Sequence, residues 1–80
     1  MTLRPGQHVA FSGHFLTARA DLEARARRAG LHVDAAVTER TDVLVANDAG
    51  SGSTAVRAAL VLGVPLVDEY TFEERLSLVV

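Results

Sequence analysis

Residues 37–46 read Val-Thr-Glu-Arg-Thr-Asp-Val-Leu-Val-Ala. The last four, Val43 to Ala46, are an unbroken apolar run. A strand with one face in water alternates apolar and polar residues, whereas a strand covered on both faces does not. The run therefore predicts a strand inside a parallel sheet with helices above and below. Just ahead of it, Thr38 and Thr41 can bond nearby backbone groups where the chain re-enters the sheet. Just after it, Asn47 to Ser53 (Asn-Asp-Ala-Gly-Ser-Gly-Ser) reads as a loop.

Upstream of this stretch, His8 to Phe11 is a short apolar run closed by Ser12-Gly13, which predicts a buried strand ending in a turn. Ala18 to Ala29 is rich in alanine and arginine, both good helix formers, and Thr17 is placed to cap it. Asp21 and Glu23 fall in its early turns, and Arg25, Arg27 and Arg28 near its end, an order that complements the helix dipole. Leu22, Ala26 and Ala29 make a narrow apolar stripe for packing on a sheet. Gly30 is a natural stop, and Leu31 to Val33 predicts a short second strand. Downstream, Thr54 to Leu62 predicts a helix, apolar almost all round and therefore expected to be heavily buried. Gly63 ends it, Leu66-Val67 forms a fourth strand, and Asp68-Glu69 lead into a last helix holding Phe72 and Leu76. The order β-α-β-β-α-β-α predicts an α/β fold: a three-layer α/β/α sandwich with a four-stranded parallel sheet and three helices.

Composition narrows the function. Eighty residues make one small domain, with little room for a deep cleft between two lobes. Without cysteine, disulfides, thiolate metal sites and cysteine nucleophiles are excluded. Eight basic residues against ten acidic ones give a net charge of −2, which supplies no bulk field for nucleic acid. All eight are arginine, so Schiff-base and Walker-type lysine chemistry is ruled out. The most apolar region, Ala58 to Val67, is broken by Gly63 and Pro65, so no membrane span and no membrane partner is expected. The first residues, Met-Thr-Leu-Arg-Pro-Gly-Gln-His, lack an apolar core followed by a cleavage site, and a cytoplasmic location is expected.

Four segments in order then carry a likeness to a known family. They are Val9-Ala10-Phe11-Ser12-Gly13 with Arg19 and Leu22; Ala29-Gly30-Leu31-His32-Val33; Val37 through Val45; and Ala58-Ala59 through Gly63-Val64-Pro65-Leu66-Val67, then Phe72. In this order and spacing the sequence resembles the BRCT domain, in the bacterial form appended to NAD-dependent DNA ligases or to exonucleases like the epsilon subunit of DNA polymerase III. Phe72 stands where the family usually has tryptophan and reads as a core anchor. The resemblance implies that residues 1–80 are one BRCT-like domain of a larger protein, a non-catalytic protein-interaction module in DNA repair or replication. A protein partner or phosphopeptide is the expected ligand. The alternatives are a DNA-binding module for a 5′-phosphate end or nick, and a structural docking domain within its parent enzyme. The oligomeric state stays open.

In phosphate-binding members of that family, a Ser or Thr and a Gly after the first strand meet a lysine at the start of the second helix. Ser12 and Gly13 match the first half. The lysine position falls at Thr54 or Ala55, and neither can supply its charge-assisted bond, worth roughly 1.5–3 kcal/mol. The expected binding residues are thus Ser12, Gly13 and Thr54, with Arg57 or Arg19 as candidate sources of positive charge.

Other patterns yield no chemistry. His8, His14 and His32 lack the spacing of a helix-borne zinc pair and read as isolated surface or strand-end residues, so no metal and no cofactor is expected. Phe11-Ser12-Gly13-His14 is not a nucleophile elbow, and no catalytic residue is assigned. Gly50-Ser51-Gly52-Ser53-Thr54 lacks both the Walker lysine and the dinucleotide spacing. Arg19, Arg25 and Arg28 form a basic strip on the first helix, read either as a solvated face or as contacts to a DNA backbone. The apolar end Leu78-Val79-Val80 is a cue for docking or for a longer chain.

Overall fold

A computed structural model describes residues 2–48, 50 and 52–79; Ala49 and Ser51 of the expected loop and Val80 of the apolar end lie outside the described residues. Seven elements follow the expected order: β1 (His8–Ser12), α1 (Arg19–Arg28), β2 (His32–Asp34), β3 (Val43–Ala46), α2 (Thr54–Leu62), β4 (Leu66–Val67) and α3 (Glu69–Leu76). All four strands run parallel in the order β2-β1-β3-β4. β1 and β3 are the inner pair, with Val9 opposite Val43 and Phe11 opposite Val45.

The pleat sends alternate residues of these inner strands to opposite faces. Val9, Phe11, Val43 and Val45 pack with Leu22 and Ala26 of α1 and Phe72 of α3. Ala10, Leu44 and Ala46 pack with Val56 and Ala59 of α2. Two helices therefore cover one face and one covers the other, which is the three-layer α/β/α arrangement. Phe72 is fully buried, its ring edge-on to Phe11 at 5.3 Å between centroids.

The end of α1 shows why Ala29-Gly30 suits its place. The Leu31 N–H donates to the Ala26 carbonyl at 3.0 Å, and the Gly30 N–H to the Arg27 carbonyl at 3.0 Å. These two bonds satisfy the last turn only if the residue between adopts a left-handed backbone. Gly30 does so, at φ +89°, and a Cβ there would also meet Pro5 at 3.0 Å.

Two expectations are corrected. Thr17 does not cap α1: the cap residue is Ala18 and makes no side-chain bond. Thr17 instead donates its hydroxyl to Glu73 on α3, at 3.1 Å. Nor is α2 heavily buried. Only Val56 and Ala59 of its nine residues are, while Leu60 is 69% and Val61 84% exposed. A single helix lying on a sheet presents one stripe to it, and among the described residues nothing covers the other side of α2. A smaller revision concerns Leu31, which precedes β2 rather than starting it but is buried in the core all the same.

Candidate functional site

In parallel sheets of this kind, ligands bind in the crevice beyond the carboxyl ends of the strands. Here β1 delivers Ser12 to that edge and β3 delivers Ala46. Gly13, at φ +85°, turns the chain sharply away, a conformation that a residue with a Cβ rarely adopts. From across the crevice comes the amino end of α2, where Ser53 is the cap and its Oγ accepts from the Val56 N–H at 3.2 Å. The Ser12 and Ser53 hydroxyls lie 3.4 Å apart. Together with Gly13, His14, Ala46 and Asp48 they line a hollow of about 310 Å³.

Of the residues expected to bind a phosphate, Ser12 and Gly13 thus meet the second helix as the sequence suggested. Thr54 is exposed in the first turn of α2 and does not line the hollow; Ser53, one residue earlier, takes that place. Neither candidate arginine lines it. Arg57 is exposed on α2. Arg19 spends its guanidinium on the Phe11 carbonyl and on Glu23, 3.3 Å away. The charged group that does line the hollow is Asp48, whose carboxylate opposes an anion, beside the ring of His14. A hydroxyl pair and a helix amino end remain as attractive groups for phosphate oxygens.

One residue the sequence reading passed over holds this region together. Glu69 opens α3 and is buried. Its two carboxylate oxygens accept from the backbone N–H groups of Leu16 at 2.7 Å and Thr17 at 2.8 Å, and from the Asn47 amide at 3.0 Å. Asn47 in turn accepts from the Glu69 N–H at 2.8 Å and donates to the His14 carbonyl at 3.2 Å. The loop after β1, the end of β3 and the start of α3 are therefore tied by one carboxylate. Burial alone would push its pKa up. The donors from Thr17, Asn47 and Leu16 outweigh that and hold it below the ordinary 4.5. The sequence signal is an acidic pair at a helix start; the backbone partners Leu16 and Thr17 lie more than fifty residues away along the chain and Asn47 lies 22 away.

The histidines are not all isolated. His8 and His32 start neighbouring strands and stack at 4.8 Å between ring centroids, and His8 Nδ1 lies 2.8 Å from Asp34. Thr41 donates to the same carboxylate at 3.0 Å. This network borders a hollow of about 520 Å³, walled by Val33, Ala36, Glu39 and Arg40 beside the edge strand. No three metal-ligating side chains converge among the described residues. The three arginines of the expected strip also separate: Arg19 is held at the start of α1, whereas Arg25 and Arg28 share a hollow at its end.

No family model matches the chain, and no curated protein matches it by sequence. Among solved structures it is similar to the crystal structure of Rad4 BRCT1,2 in complex with a Crb2 phosphopeptide, with a TM-score of 0.73. The fold is BRCT-like. The likeness extends over 90% of this chain at 16% sequence identity, so it lies in the path of the backbone. The chain spans 40% of the length of that structure's chain. A BRCT-like backbone is what brings Ser12-Gly13 against the start of α2. No helix among the described residues is long and apolar enough to cross a membrane.

Proposed function

We propose that this chain is a non-catalytic protein-interaction module, one domain of a larger DNA-repair or replication protein, and that it takes a phosphorylated segment of its partner in the hollow at Ser12. The observation that carries this reading is the meeting of the Ser12 hydroxyl, the Gly13 turn and the Ser53-capped end of α2 in one 310 Å³ hollow. The similar structure with a bound phosphopeptide supports it, as does the sequence resemblance, which extends to a bacterial ligase or exonuclease as the parent. Ser12 donates to a phosphate oxygen, and the α2 dipole favours the negative charge. Asp48 weakens the same contact, so affinity is modest and improves when that charge is removed.

The test is an amide-shift titration with a phosphothreonine peptide and its unphosphorylated twin. Phosphate-dependent shifts at Ser12, Gly13 and Val56 are expected. Ser12→Ala should weaken binding about tenfold, the worth of one hydrogen bond to a charged group, and Asp48→Asn should tighten it. Absence of any phosphate-dependent shift rejects the reading. A 5′-phosphorylated nicked duplex run in parallel separates the DNA alternative, which requires the same amides to respond to the duplex and not to the peptide.

A further inference from the structure

α1 and α3 both run back against the strands, and their carboxyl ends meet at the edge of the sheet opposite the Ser12 hollow. Between them lies a second hollow of about 380 Å³, lined by Arg25, Arg28, Ala29, Glu73, Leu76 and Ser77. Arg25 and Arg28 are three residues apart and so share one helix face. Their guanidinium donors are largely unspent. Arg28 has no ion pair among the described residues, and Arg25 has a loose one, 3.8 Å from a Glu73 oxygen that already accepts from Thr17. Arg27, by contrast, points to Glu23 on the outer side. The floor between the two arginines is aliphatic, from Ala29 and the half-buried Leu76.

We propose that this hollow is a docking site for an acidic, aliphatic helical segment of a protein partner. Two carboxylates one turn apart on such a segment stand about 5–6 Å from each other at their Cβ atoms, a spacing that suits two guanidinium groups on one helix face. A leucine between them covers Ala29 and Leu76. The same observations disfavour a DNA backbone. Arg19 and Arg27 are tied to Glu23, and two arginines neutralise too few phosphates to hold a duplex in a protein of net charge −2. This site needs no phosphate and does not depend on the Ser12 hollow.

The test titrates the isotope-labelled chain with a capped helical peptide of the repeat Leu-Glu-Ala-Ala-Leu-Glu, with its glutamine counterpart, and with a blunt unphosphorylated duplex. Saturable shifts at Ala29, Leu76 and Ser77 with the glutamate peptide are expected, weakening as salt rises. The combined Arg25→Gln and Arg28→Gln variant should lose at least about tenfold in affinity. Its unfolding midpoint, measured alongside, separates lost contacts from lost structure. The proposal is overturned if no peptide shifts those amides, if the glutamine peptide binds equally well, or if the duplex saturates them and the peptide does not. None of these outcomes alters the phosphopeptide test at Ser12.

Discussion

The two faces of the sheet solve the same problem unequally. On one, α1 and α3 enclose Val9, Phe11, Val43 and Val45 with the full bulk of Leu22 and Phe72. On the other, α2 alone rests on Ala10, Leu44 and Ala46 through Val56 and Ala59, and carries Leu60 and Val61 on its outer side. Each helix buries two residues, although α1 and α3 are of mixed polarity and α2 is nearly all apolar. A helix laid on a sheet buries one stripe whatever the composition of its other side, and the hydrophobicity of a segment only limits what can be covered.

The sharpest way to break this contrast is to hollow out the two-helix face. Phe72→Ala removes its largest fully buried ring and should cost about 3–5 kcal/mol, enough to unfold much of a small domain; urea denaturation reads it directly. A cost near that of a surface change would mean the face is not the main core. Glu69→Gln tests whether the junction of the two faces is electrostatic. Because the folded pKa of Glu69 is lowered, its contribution to stability is fully present above about pH 4.5 and is lost as the pH falls through the folded value. Unfolding midpoints from pH 7 down to pH 3, as about the useful range, should show the wild-type chain losing more stability on acidification than the variant. Parallel curves would remove Glu69 from that role.

Smaller effects belong to α2. Ser53→Ala deletes its cap bond and should cost about 1 kcal/mol, with the Ser12 hollow losing a wall at the same time. Val61→Ser should change stability by less than about 0.5 kcal/mol, although the same exchange at a core valine would be severe. A large loss at Val61 would show that the outer side of α2 is covered in solution, and sedimentation analysis would then look for association.

Much of this contrast was legible in the chain, and the exceptions have physical causes. Val43 to Ala46 announced an inner strand because apolar residues without alternation suit only a doubly covered position, and all four are buried. The Ala29-Gly30 stop and the Phe72 anchor were equally visible, since each follows from a local steric or volume requirement. The exposure of α2 is not legible, because one segment's composition carries no information about what lies over it. The candidate site was half legible: Ser12 and Gly13 are neighbours in sequence, but the partner hydroxyl proved to be Ser53 and not Thr54, a one-residue shift set by where the helix cap falls. Glu69 is not legible because its meaning lies in donors from two distant segments, Leu16-Thr17 and Asn47. His8 and His32 looked isolated because only the β1–β2 register brings them together.

The sheet's two outer strands, β2 and β4, are three and two residues long. An edge that short offers almost no ladder of free backbone groups to a visiting strand. Among the described residues the sheet edges thus offer little to recognition by strand addition, which reads a partner mainly through its main chain. The groups this leaves for contact are side chains and helix ends, which can be exchanged one residue at a time without disturbing the hydrogen-bonded frame beneath.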